Sequence, residues 1–306
     1  MSSPSVSSSL HFARLAGALA ISILVAGCVT GGGGAGSSTP GGSPSASTSG
    51  SPSAEPSGSS SANGFYLRAW QPQALAPQYT FDWLPVVTIS DGKFIDGRVA
   101  VPAIYPGPLW IGPSVRPISA NGIDAIVAEA RKQGLLGTKS DFADQAVPGA
   151  VLGHIQLIVD GKTYDLTGDP NALTRCRCIP APGTNAAFAA FWQKLSDLDA
   201  WLPAELGSSA PYEPERVAVL AMPPSEPVSG IAPSEVAWPL STPFSTFGTA
   251  LGNDTYRCGV VSGADLTTLM PVIKAQNQLT RFVDSEKVKD SLRVRVLVPG
   301  EEGPCA

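Results

Sequence analysis

Charge, histidine and long apolar runs are scarce in this chain, and each shortage removes a class of function. Only 15% of the 306 residues are charged, and 20 Lys+Arg against 25 Asp+Glu leave a formal charge of −5. Without a basic footprint, nucleic acid is excluded as a principal partner, and an anionic lipid surface would not hold the chain electrostatically. There are two histidines, His11 and His154, too few for the His-rich donor sets of common metal centres. Past residue 64 the sequence has no G-x-S-x-G elbow, no Walker-type glycine loop, no dinucleotide fingerprint and no S-x-x-K motif with suitable partners. Serine, thiol and nucleotide chemistry are therefore disfavoured, and no cofactor is expected. Two carboxylates suffice for glycoside-type hydrolysis, so acid pairs stay open: Asp141 with Asp144, and Asp165 with Asp169.

The longest apolar run, Leu15 to Gly27, follows a polar stretch whose one firm positive charge is Arg14. It is well short of the ~20 residues a spanning helix needs and reads as the apolar region of an export signal. It ends in Leu24-Val25-Ala26-Gly27-Cys28, which resembles the lipobox of bacterial lipoproteins. That resemblance implies lipidation of the Cys28 thiol and cleavage before Cys28, so that residues 1–27 are a signal peptide. It also implies membrane as a partner through the lipid, and localisation at the cell membrane facing outside the cytoplasm. Small residues before the cysteine let the chain enter a protease cleft extended, and each buried acyl CH₂ contributes about 0.8 kcal/mol to anchoring.

Residues 28–64 are almost wholly Gly, Ser, Pro, Thr and Ala, with Glu55 the only charge. Such a stretch has nothing to bury and reads as a disordered tether, with a mean span of about 30–35 Å.

Periodic sequence begins at Phe65 and continues to Ala306. Val86–Ser90 and Lys93–Ile95 flank Asp91-Gly92, and His154–Val159 and Thr163–Leu166 flank Asp160-Gly161; both are hairpins with type I′ turns. Arg216–Leu220 reads as a buried strand. Leu292–Val298 alternates, which puts Arg293 and Arg295 on a solvent face. Three helices are expected. The first is capped by Ser119 or Asn121, has a stripe of Ile123, Ile126, Val127 and Ala130, and stops at Gly134. The second runs from Thr184 to about Leu202, with Phe188, Phe191, Trp192, Leu195 and Leu198 inward. The third starts at Ser262, carries Leu266, Leu269, Ile273 and Asn277, and is kinked or shortened by Pro271. The fold class expected is α+β with mainly antiparallel sheets. Sliding Ser119 onto Ser262 places Gly134 on Asn277, which suggests two strand–helix–hairpin units.

Besides Cys28 the cysteines are Cys176, Cys178, Cys258 and Cys305, an even number that reads as two disulfides in an exported chain. Bridging Cys258 to Cys305 would staple the last strand–helix–strand unit, contributing roughly 3–4 kcal/mol by loop closure. Cys176 and Cys178 would then form a local ring, or each would pair with one of the other two. C-x-C beside one histidine is a poor metal set, and no metal is expected. His154 reads as a polar residue on a half-exposed strand face.

Aromatics offer the hint of a binding surface. Phe65, Tyr66, Trp70, Tyr79, Phe81 and Trp83 crowd the start of the domain, and Tyr105-Pro106-Gly107-Pro108-Leu109-Trp110 is a stiff loop. Trp70, Trp83, Tyr105 and Trp110 are the candidate contacts for a ligand or a protein partner at the envelope; Trp192 and Trp201 belong to a core. The expected role is a membrane-anchored binding or interaction module. The alternatives are a carboxylate-dependent hydrolase of envelope or extracellular substrates, and a structural accessory subunit of a membrane complex. Replacing Cys28 with Ala should shift the chain out of the membrane fraction or leave it there as uncut precursor; mature-size protein still sedimenting with membranes would refute the lipid anchor.

Overall fold

A computed structural model describes residues 64–72, 81–143, 150–176, 179–224, 230–251 and 255–305. Cys28, the leader and the tether lie outside these residues, as do Tyr79, Asp144 and Cys178; of Cys176 only the backbone is described, as the last residue of a short helix.

The fold is α+β, built on two sheets. The first contains β1 (Tyr66–Trp70), β2 (Val87–Ser90), β3 (Lys93–Asp96), β4 (Ser114–Pro117), β5 (Gly153–Val159), β6 (Lys162–Gly168) and β7 (Ala210–Pro211), in the order β6-β5-β1-β2-β3-β4-β7. The second contains β8 (Arg216–Met222), β9 (Glu235–Ala237), β10 (Thr249–Leu251), β11 (Tyr256–Ser262), β12 (Arg281–Val283) and β13 (Lys289–Val296), in the order β10-β11-β8-β13-β12-β9. Every ladder is antiparallel except β9 with β12.

Both expected hairpins form. Asp91 and Gly92 have φ of 51° and 68°, and Asp160 and Gly161 have 52° and 72°. Positive φ at both turn positions matches the right-handed twist of the flanking strands.

The first sheet buries one face under α1 (Ala120–Lys132), α3 (Asn185–Ser196) and α4 (Leu198–Trp201). Leu67, Ile89, Phe94, Ile155 and Leu157 meet Ile123, Ile126, Phe188, Phe191 and Leu195 in one core. Ser119 caps α1, its Oγ accepting from the Gly122 amide at 3.1 Å, and Gly134 takes φ 68° past the helix end. Helix α3 approaches the sheet where Gly153 pairs with Gly168. A Cβ on Gly168 would lie 2.5 Å from the Phe188 ring, and one on Gly153 would lie 2.8 Å from Trp192. Two glycines opposite one another thus make the seat for two aromatic rings.

The single helix expected over Thr184–Leu202 is two segments. Asp197, at φ −141°, ψ 64°, leaves the helical region, and its Oδ1 accepts from the Ala200 amide, capping α4. The remaining short helix, α2 (Ala172–Cys176), precedes α3.

The second sheet buries one face under α5 (Gly263–Lys274) and an aromatic group of Trp238, Phe244, Phe247 and Phe282. Pro271 sits within α5 without ending it, its ring on the exposed side. The helix stops at Lys274, so Asn277 lies outside it. Asn277 Oδ1 accepts from the Leu279 amide at 2.9 Å, while its backbone bridges to Pro108. Asn277 does not have the positive φ of Gly134. Strand–helix–hairpin order does occur twice, but the first hairpin joins its sheet through β5 alone, with β6 at the edge, whereas the second lies inside its sheet, β13 pairing with β8 and β12 with β9. The helix alignment therefore does not extend to the sheets.

The remaining faces of the two sheets meet. Ile95 packs with Val296 and Val298, and Phe81, Ala218, Leu220, Cys258 and Leu297 form an adjoining cluster. Cys258 and Cys305 are disulfide-bonded, with Cα atoms 5.2 Å apart. Among the described residues no helix is long and apolar enough to cross a membrane.

The β12–β13 hairpin carries buried acid. Asp284 is 3% exposed and accepts hydrogen bonds from the amides of Phe244, Glu286 and Val288. Burial, with the Asp284 charge adding to it, pushes the Asp290 carboxyl from an ordinary value near 3.8 to about 6. A group that ionises later in the folded protein than in the unfolded chain weakens the fold as pH rises between the two values. Stability should therefore fall from about pH 4 to about pH 6 and level off above. Asp290→Asn should flatten that slope and raise stability at pH 7 by about 1 kcal/mol, less than the full shift represents because water still reaches the group. Urea unfolding from pH 3.5 to 7.5 measures both; an unchanged slope in the variant would refute the assignment.

Candidate functional site

Arg293 and Arg295 alternate along β13 as expected, but only Arg293 keeps substantial exposure. Arg295 is 8% exposed, which corrects the solvent-face expectation. The cause lies far away in sequence: residues 81–83, ahead of β2, pass over this face. Arg295 Nη1 donates to the carbonyl of Trp83 at 2.7 Å and to that of Phe81 at 3.4 Å, its Nε donates to the Val296 carbonyl, and its Nη2 pairs with the Glu301 carboxylate. Burial lowers the Arg295 guanidinium to about 10, opposed by Asp82 and reinforced by Arg68, so it remains a cation at neutral pH.

Around Trp83, fixed this way, two clefts adjoin. The larger, about 710 Å³, runs under the Tyr105 loop between the first sheet and β13; the smaller, about 490 Å³, runs toward the segment after β13. They share Gln71, Trp83, Leu84 and Arg295, so they adjoin as two arms of one groove with Trp83 at the junction. Aliphatic wall in the larger arm comes from Val99, Val101, Leu109, Ile111, Met222 and Leu279. The smaller arm is bounded by Arg68, Trp70, Gln156, Glu301 and Glu302.

Three of the four aromatics singled out from sequence come together here. Trp83 is 43% exposed and borders both arms; Tyr105, at 50%, borders the larger and Trp70 the smaller. Trp70 has two ring neighbours, with the Arg68 guanidinium 4.4 Å from its ring centre and the His154 ring stacked at 5.4 Å. Trp110 lines neither arm; it is half-buried and packs against both the core beneath α5 and the Ile95–Val296 cluster. The Tyr105 loop is pinned beyond its tip, where the Leu109 amide donates to Gln276 and the Gln278 amide to Gly107.

The remaining candidates hold structural positions. His154 is half-buried, its Nδ1 lies 3.3 Å from Thr167 Oγ1, and burial lowers its pKa, which keeps it neutral at pH 7. Asp141 Oδ1 accepts from the Ala143 amide, and Asp165 accepts from Gln156 at 2.9 Å. Asp169 is 1% exposed, pairs with Arg175 at 2.6 Å and accepts from the Asn171 amide. Asp165 and Asp169 thus serve different partners. The acids bordering the groove were not among the sequence candidates: Asp82 pairs with Arg293 at 3.3 Å, and burial raises its carboxyl pKa against the pull of Arg293 and Arg295. Nor were Arg68, Gln71 and Gln156. No local signal marks them, because each belongs to an ordinary strand or loop and meets the others only through sheet order. Among the described residues no group of three or more His, Cys, Asp or Glu could hold a metal ion.

Arg295→Met should cost about 2 kcal/mol, since it removes the partner of the part-buried Glu301 carboxylate and of two carbonyls. It should also speed amide exchange in residues 82–84 and 300–303. A loss below about 1 kcal/mol in urea unfolding, the range of an exposed ion pair, would show that Arg295 does not hold the groove together.

In comparisons with protein-family models, curated proteins and solved structures, nothing matches this chain.

Proposed function

We propose that the chain is a membrane-anchored extracytoplasmic lipoprotein whose folded region binds a ligand in the groove around Trp83. Anchoring is supported by Leu24-Val25-Ala26-Gly27-Cys28 and by the Gly/Ser/Pro-rich stretch that follows. Binding is supported chiefly by one observation: Trp83, 43% exposed, stands at the junction of two concave arms that Tyr105 and Trp70 also border. An exposed ring in a concave site that combines an aliphatic wall with polar and charged side chains can hold and orient a small molecule. The two arms suit an elongated ligand of small-molecule size better than a flat protein surface. A tether of about thirty-five residues then lets the groove sample a shell of about 30–35 Å around its anchor.

Native mass spectrometry of the protein recovered from membranes tests this directly. A bound species should accompany the wild type and be lost from Trp83→Ala combined with Tyr105→Ala. Both side chains are about half exposed, so each substitution should cost only about 1 kcal/mol of stability while weakening binding by about 1–2 kcal/mol. Retention of the same species by the folded double variant would place binding elsewhere.

A further inference from the structure

We propose that the groove's ligand is an amphipathic anion: one apolar chain in the larger arm, and an acidic head, carboxylate or phosphate, at Arg68 in the smaller. The proposal rests on the groove being the binding site. An unmatched guanidinium in the smaller arm carries it. Asp82 and Arg293 pair with each other, and Arg295 pairs with Glu301. Arg68 is the exception. Its Nη1 donates to the Gly300 carbonyl at 3.0 Å, its Nε is buried without an acceptor, and among the described residues no carboxylate lies within ion-pair distance of it. Glu302 borders the same arm but is exposed and pairs with neither guanidinium.

A guanidinium beside a second cation, with donors unmatched, is costly until an anion arrives, and carboxylate and phosphate both fit its fork geometry. Trp70 fixes the plane of that fork from 4.4 Å. The larger arm supplies the aliphatic wall, with Val99, Val101, Leu109, Ile111 and Leu279 around Tyr105.

The full chain carrying Cys28→Ser, which removes any attached lipid as competitor, is titrated with dansyl-undecanoate excited through tryptophan. Bound probe is then displaced with palmitate, with single-chain lysophosphatidate and with uncharged hexadecanol. Saturable binding is expected, with at least one of the two acids displacing the probe about tenfold better than the alcohol. Preference between the two acids identifies the head as carboxylate or phosphate. Arg68→Gln should weaken the preferred acid about tenfold and leave hexadecanol within about twofold, Arg68→Lys should recover part of the loss, and Leu279→Gln should weaken all three. Equal displacement by acids and alcohol, or an Arg68→Gln loss shared by both, overturns the acidic head. Failure of every chain compound to bind, while the membrane-derived species still requires Trp83, overturns the ligand class and leaves the groove as the site. Failure of both overturns the site itself.

Discussion

Arg295 joins the two halves of the molecule. It stands on the central β13 of the second sheet, yet its hydrogen bonds go to Phe81 and Trp83, between strands of the first sheet, and to Glu301 beyond β13. Burying a guanidinium costs several kcal/mol unless its donors and charge are matched. Here two carbonyls and a carboxylate match them. Because those partners come from separate parts of the chain, the requirement that the charge be satisfied becomes a requirement that the three segments meet. Replacing the cluster with apolar side chains could pack as well, but it would carry no comparable demand on where Trp83 must lie.

The residues after β13 are held by more than Glu301. The Tyr66 hydroxyl donates to the Pro299 carbonyl, Arg68 donates to Gly300, and the disulfide fixes Cys305 to β11. By loop closure the bridge contributes roughly 3–4 kcal/mol against the unfolded chain. Its local effect is to keep a glycine-containing segment, which has little to bury, against the open face of the first sheet. The wall of the smaller arm is therefore built from contacts of one backbone segment with three strands.

Local structure was legible in the sequence where its cause is local. Asp91-Gly92 and Asp160-Gly161 force positive φ by their own chemistry, and Ile123, Ile126 and Val127 mark a helix by spacing alone. Cys258 with Cys305 followed from parity and from their places around the last helix. Legibility stopped where two distant segments decide. Alternation along β13 places Arg293 and Arg295 on one face but does not say that Phe81 and Trp83 cover it. Asn277 resembles a helix stop, yet the pairing of its neighbours with the Tyr105 loop sets its conformation. Of the groove, the aromatic residues were visible because they are rare and clustered. The polar residues, Arg68, Gln71, Gln156 and Asp82, are ordinary in type and spacing, and only sheet order makes them neighbours.

The carbonyl of Trp83 is bonded to a residue 212 positions downstream, and this orders events along the folding path. The β2–β3 and β5–β6 hairpins close over a few residues each, and such local pairings form first. Sheet one can assemble once β5 reaches β1. At that stage Trp83 sits on a segment with no surface to lie against, and the groove has one wall. Maturation of the groove is thus a late, nonlocal step. A chain arrested before β13 would have much of its secondary structure and none of its binding geometry.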